Sequence, residues 1–223
     1  MQPTAAKWPQ IRERRLKNEQ ISIMNKPPTR IQMRNRTAIL DAGLDVFSQY
    51  GFRGSTLDLI AATAGLSKPN LLYYFPSKEA IHTALLERLL ENWLAPLHAL
   101  DPDGDPVKEI MAYAQRKLAL SQDYPRESRL YANEILQGAP RILDILRDDL
   151  KKMVDDKAAI IKGWAKAGLI ADVDPHHLIF SIWALTQHYA DFDVQVRAVL
   201  GDKPPYDGAA MFLDTLYEKL LTA

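Results

Sequence analysis

The chain has 223 residues, 47% hydrophobic and 25% charged, enough for one large or two small domains with a true core. Lys/Arg and Asp/Glu each number 28, but residues 1–80 hold 12 basic against 6 acidic while residues 81–223 hold 16 against 22. The absence of cysteine excludes disulfides and thiolate metal sites, no apolar run approaches the roughly 18 residues of a membrane span, and the N-terminus MQPTAAKWPQIRERR lacks the apolar stretch of a signal peptide. The chain therefore reads as a soluble, cytoplasmic protein whose basic head meets a polyanion and whose acidic body does not.

Residues 1–30 mix charge with Pro27-Pro28 and little periodicity; Arg12, Arg14, Arg15, Lys17, Lys26 and Arg30 predict a flexible basic arm. From Thr29 the pattern turns helical. Ile31, Ala38, Ile39, Ala42, Leu44, Val46 and Phe47 supply an inward stripe, and Tyr50-Gly51 supplies the stop. Ser55-Thr56-Leu57-Asp58 has the form of a capping box starting at Ser55, and it opens a short helix to Ala64. Gly65-Leu66 breaks that helix and Ser67 caps the next. Helix, glycine turn and helix within some twenty residues is the helix-turn-helix shape.

Beyond Pro76 helices dominate. One is predicted from Ser77 to about Leu100, with Ile81, Leu85, Leu86, Leu89, Leu90, Trp93 and Leu97 inward. The loop DPDGDP over 101–106 follows. Further helices are expected at 107–121, 126–136, 140–167 (with a break), 175–193 and 207–221. No strand alternation of useful length and no internal repeat occurs, so the fold class is all-α: a three-helix DNA-binding head at 31–78 and a helical body at 79–223.

The segment SKPNLLYYFPSKEA at 67–80 sets aromatic, polar and basic residues within two turns. A helix entering the major groove needs small or polar residues at its N-terminal end, and Ser67, Lys68, Pro69 and Asn70 fill it. Tyr73 and Tyr74 stand one turn on, where a phenol hydroxyl can reach a phosphate. Leu72 and Phe75 are expected to turn back into the head, and Lys78 to reach the flanking DNA backbone. Thr56, at the start of the preceding helix, joins this candidate DNA-binding set.

Residues 37–85 resemble the N-terminal domain of the TetR family of transcriptional regulators. The matching positions include Ala42, Phe47, Gly51, Ser55-Thr56, Ile60-Ala61, Ala64-Gly65, Ser67, Leu72-Tyr73, Phe75 and Lys78-Glu79. NLLYYFPSKEA, WLAPL, SQDYP and HLIFSIWALTQHYADF extend the likeness to a pyrimidine-responsive branch of that family. The resemblance implies a homodimer on double-stranded, palindromic operator DNA, released or modulated by a small effector such as uracil or thymine. It implies no cofactor, no metal and no catalytic residue.

In the body, Trp183 and Gln187 are four residues apart and share a helix face, and Trp93 lies on the inward stripe of its own helix. Read from the residues alone, such tryptophans are more often core than ligand contacts, and such a glutamine is often a dimer-face hydrogen bond. The resemblance turns them into ligand contacts: Trp93 and Trp183 as walls and indole donors, Gln187 as reader of a C=O/N–H ring edge. Tyr124, Tyr131, Asn133 and Glu134 are second-rank ligand candidates. Ser181, Ala184, His188 and Asp191 form a second face of the 175–193 helix, expected to build a four-helix dimer bundle with Met211, Phe212, Leu216 and Leu220. His176-His177, His188 and Asp191 lack metal-ligand spacing, because adjacent histidines point to different faces. A TetR-type regulator with another effector, or an all-α enzyme, are the alternatives left open.

Overall fold

The structure, a computed structural model, describes residues 29–222. The arm residues Arg12, Arg14, Arg15, Lys17 and Lys26 lie outside the described residues. Among the described residues every regular element is helical, and the all-α class holds.

Helix α1 spans Arg30–Gly54. It opens on a reciprocal cap: the Thr29 N–H donates to Gln32 Oε1 at 2.8 Å and the Gln32 N–H to Thr29 Oγ1 at 3.3 Å. Ile31, expected inward, is exposed; the buried stripe begins at Ile39 and runs to Phe47. The stop at Gly51 is real, since its φ of 66° and ψ of 174° break the helix where a side chain would be strained.

Helix α2 (Leu57–Thr63) is capped by Thr56, whose Oγ1 accepts the Leu59 N–H at 3.1 Å. Ser55 is not the cap. Its buried hydroxyl donates to the Gly51 carbonyl at 2.6 Å, tying off the end of α1. Helix α3 (Lys68–Tyr74) is capped by Ser67, with Pro69 in the first turn, where its missing N–H costs nothing. Helix α4 (Lys78–His98) then runs unbroken, with Pro96 in its last turn.

The body comprises α5 (Pro106–Asp123), α6 (Pro125–Leu136), one turn α7 (Leu143–Ile145), a π-helical turn Leu146–Leu150, α8 (Lys151–Lys166), α9 (Pro175–Asp191), α10 (Asp193–Leu200) and α11 (Pro205–Leu221). Asp105 and Asp174 cap α5 and α9, each followed by proline at the first helical position. The expected break in 140–167 falls at the π turn. Helix α10 was not expected: Val196, Val199 and Leu200 are helically spaced but only Val196 is buried, and the Asp193 carboxylate accepts from the Arg197 guanidinium one turn on at 2.8 Å. Helix α5 is central, packing against α4, α6, α9 and α11.

The head joins the body through a shared core. Ile39, Phe47, Ile60, Leu71 and Ile81 are buried in one cluster with Leu86, Leu130 and Ile142. Gly43 allows this closeness. A Cβ there would stand 2.8 Å from the Ile81 side chain and 3.4 Å from that of Leu85, so α1 and α4 meet almost backbone to side chain.

Candidate functional site

The exposed part of α3 carries the polar set. Lys68, Pro69, Asn70 and Tyr73 face outward, Tyr73 with 65% of its surface exposed. Tyr74 packs partly against the core, and the two tyrosine rings meet edge to face at 5.1 Å. Leu72 does not turn inward; it is exposed, and Leu71 takes the core position with Phe75. The periodicity of so short a helix leaves that choice open by one residue.

The two lysines of this segment part company. The Lys68 ammonium lies 2.8 Å from the Asp58 carboxylate of α2, with both side chains solvent-accessible. Such an exposed pair contributes at most about 1 kcal/mol and yields readily to a phosphate. Lys78 instead points into the head, contrary to expectation. Its Nζ donates to the Phe52 and Ser55 carbonyls, both at 2.8 Å, and sits 4.3 Å from the Phe52 ring centroid. Those carbonyls follow the Gly51 break and lack helical partners, so the ammonium closes the α1–α2 connection.

Behind Phe52 lies a buried polar clasp. Glu134 on α6, a second-rank ligand candidate, accepts from the Arg141 guanidinium at 2.7 Å and from the Arg141 backbone N–H at 2.8 Å. The guanidinium covers the Phe52 ring at 3.5 Å. His82 of α4 fits edge-on between Phe47 and Phe52, with Nδ1 3.9 Å from Glu134 and without a hydrogen-bond partner. A neighbouring carboxylate would ordinarily raise a histidine, yet His82 is held down to about 4. Burial dominates, and the Arg141 charge opposes protonation. Glu134 is already engaged by Arg141, so its charge does little for the imidazole. Asn133 is exposed on the same helix.

The body holds a cavity of about 30 Å³, partly open to the surface, lined by Leu89, Leu90, Trp93, Leu94, Lys117, Tyr131, Leu150, Trp183 and Gln187. Four predicted ligand residues, from α4, α6 and α9, therefore meet. Trp93 and Tyr131 stand 6.3 Å apart, ring to ring. The Trp183 indole is not a free donor, because its Nε1–H is given to the Tyr113 hydroxyl at 2.6 Å. That bond holds Trp183 as a wall and leaves the amide of Gln187 as the adaptable polar group. Lys117 on α5 was missed: a lysine amid Tyr113, Leu118 and other buried residues reads as a stray surface charge. Tyr124 lies elsewhere, with Leu44, Arg88, Asn92 and Glu127 in a second, larger pocket of about 250 Å³ that Trp93 also lines.

Two residues of the expected dimer face also have partners within the subunit: the half-buried Ser181 is hydrogen-bonded to the Tyr217 hydroxyl of α11 at 3.0 Å, and the half-buried Asp191 accepts from the Ser128 hydroxyl of α6. Ala184 and His188 remain exposed, on a row with His177 and Phe180. Among the described residues no cluster of histidine and acid groups could hold a metal ion, and no helix is long and apolar enough to cross a membrane.

A helix-turn-helix head on an all-α body with an aromatic cavity is the construction of a transcriptional regulator that binds DNA. The chain belongs to the TetR family: residues 39–85 match the bacterial regulatory proteins of the tetR family, and residues 86–223 match the C-terminal region of YcdC-like proteins. It is 55% identical over 166 residues to the HTH-type transcriptional regulator RutR of Escherichia coli strain K12, covering 74% of this chain and 78% of that one. A tetR-family regulatory protein from Rhodococcus RHA1 shares the fold with a TM-score of 0.70 at 20% identity, over 85% of this chain and 98% of that one. AibR in complex with isovaleryl coenzyme A and operator DNA superposes with a TM-score of 0.63 at 18% identity, over 82% and 97% respectively.

His82 makes stability sensitive to acid. The folded ring stays neutral to about pH 4 while the unfolded one titrates near 6.5. Stability from this residue is therefore complete above 6.5 and lost as pH falls from 6.5 through 4. Urea titrations at pH 7 and pH 5 should show the parent losing about 2 kcal/mol more than His82→Leu; equal losses would place the histidine outside this balance.

Proposed function

We propose that this regulator is a homodimer that grips a palindromic operator with α3 of each chain and releases it when uracil or thymine occupies the Trp93–Tyr131–Trp183–Gln187 cavity. Residues 31–78 are the DNA-reading head in this reading, and residues 79–223 the ligand-binding and dimerisation body. The observation that carries it is the convergence of two indoles, a phenol and a primary amide, from three helices, on one small cavity. An amide beside flat aromatic walls suits a ring edge that alternates C=O and N–H. The likeness to RutR favours the pyrimidine over other flat ligands.

At the operator, Ser67, Lys68, Pro69 and Asn70 enter the groove, with Tyr73 and Tyr74 toward the phosphates and Thr56 at the N-terminus of α2 beside them. Lys68 exchanges Asp58 for phosphate. Lys78 acts from behind, holding the α1–α2 connection in shape.

The cavity has room for about one water, so a heterocycle enters only by moving its walls. One wall, Trp93, lies on α4 about 24 Å from the Ser77 cap, at 1.5 Å per residue. Displacing α4 at the cavity thus moves the element that follows α3. A second route leads from Tyr131 one turn along α6 to Glu134, then through Arg141 to Phe52 of the head. A preference of a few kcal/mol for the displaced arrangement is enough to change operator occupancy tenfold or more.

Dimerisation would use the outward rows of α9 (His177, Phe180, Ala184, His188) and α11 (Gly208, Met211, Phe212, Thr215), which are exposed in the single chain. Two heads would then meet half-sites about 34 Å apart.

Three measurements test these points. Lys68→Gln should reduce the slope of log affinity against log salt by about one, whereas Lys78→Met should lower stability without a matching change in slope. An unchanged slope for Lys68→Gln removes that residue from the interface. Gln187→Ala should abolish the thermal stabilisation given by uracil. If uracil leaves the parent's melting temperature unmoved, the pyrimidine assignment falls and the regulator class stands. Sedimentation should give about twice the 25.2 kDa chain mass; a monomer on operator DNA would overturn the dimer.

A further inference from the structure

Lys117 sits where a charge is expensive. It lies midway along α5, 3% exposed, with Nζ 4.1 Å from the centroid of the Trp93 ring and its side chain lining the same cavity as Tyr131, Trp183 and Gln187. The opposite charge that acts on it, Asp191 of α9, is itself held by the Ser128 hydroxyl of α6. The indole face offers the ammonium some attraction but no hydrogen bond acceptor. A buried amine so placed, at the wall of a cavity, is poised to meet an oxygen that arrives with a ligand.

We propose that Lys117 sets the chemical class of the effector: a flat ring presenting a carbonyl or anionic oxygen to the Lys117 ammonium, while Gln187 reads an adjacent ring edge and Trp93 covers the face. This rests on the effector cavity of the proposed function and adds to it a requirement the aromatic walls cannot impose. A ring of the same shape without such an oxygen would leave the ammonium buried against the indole alone, and is rejected.

The consequence is proton-linked binding. Burial pulls free Lys117 down to about 7, with Asp191 pulling the other way. The surrounding groups do not compete in that window. Tyr131 on α6 is pushed up to about 12 and Tyr113 on α5 is also pushed up, both by burial, so both stay neutral. Asp191 is raised by burial but faces Lys117, Arg129 and His188, which oppose that rise. A ligand oxygen stabilises the ammonium and raises Lys117 in the complex. Binding then takes up a proton above pH 7, and affinity falls as pH rises from 7, levelling off below it.

Calorimetry of uracil binding in phosphate and Tris buffers, from pH 7 to 8.5, reads this directly. The parent should take up close to one proton per site at the upper end and lose affinity by up to about tenfold per pH unit. Lys117→Met, similar in length and shown folded by its own melt, should bind uracil about tenfold or more weakly at pH 7, with no uptake and a flat profile. Uracil binding in the parent with no buffer dependence and constant affinity over this range would overturn the role of Lys117. Should uracil not bind, orotate and benzoate serve as probes. Binding of orotate that is lost in Lys117→Met keeps the role and removes only uracil as the ligand, binding of benzoate alone that is lost in the variant keeps the role and removes the pyrimidine reading, and failure of all three removes both.

Discussion

Everything in this molecule turns on helix α4 having to satisfy two packings at once. At its N-terminal end it lies against α1 at Gly43, closely enough that one added carbon would stand 2.8 Å from Ile81. Near its other end it lends Trp93 to the cavity of the body. A helix transmits displacement along its axis far better than a loop does, and the proposed function relies on that stiffness to couple the two ends. The head cannot be a DNA-reading module on a loose tether. Its core is continuous with that of α6, through Leu130 and Ile142.

Around that spine the chain accepts several buried polar groups, each at a cost that packing must offset. Glu134 and Arg141 answer each other, and Arg141 also covers Phe52 of the head. Removing one partner of such a pair is far more costly than never having built it. His82 answers nothing at Nδ1 and stays neutral. Lys117 has only an indole face and a distant share of Asp191. The first two lie at the junction of head and body and the third at the cavity. On the proposed function, these are the places where a change of occupancy would be converted into a change of shape. Polar groups suit that task, since directional contacts have few alternative arrangements, whereas apolar packing slides between many.

The helices, their caps and most of the inward stripes were legible in the sequence because they are local. A 3.6-residue period, Ser67, Ser77, Asp105 and Asp174 before helical runs, and a glycine at residue 51 act within one or two turns. Even here, single-residue ambiguities escaped: Thr56 caps in place of Ser55, and Leu71 is buried in place of Leu72. A seven-residue helix carries too few turns for periodicity to choose. Trp93, Trp183 and Gln187 were likewise recognisable as candidates, since the family pattern marks their segments, whereas Tyr131 lies in a stretch that departs from that pattern.

What no local rule could supply was partnership. Lys78 reads as a free cation, and it is the Gly51 break that delivers two bare carbonyls to it. The Trp183 indole reads as an open donor, and it is Tyr113, seventy residues away in the chain, that takes its hydrogen. Ser181 and Asp191 read as an outer face, and α11 and α6 also give them partners within the subunit. Tyr124 belongs to the pocket on the other side of Trp93, and Lys117 becomes conspicuous only when four helices close round it. Sequence by itself therefore determined the class of fold, the helix-turn-helix and the chemical types gathered in the body, because those follow from spacing along one chain. Tertiary structure alone decided which polar group each of them meets, because a hydrogen bond or a desolvated charge depends on atoms brought together from distant turns.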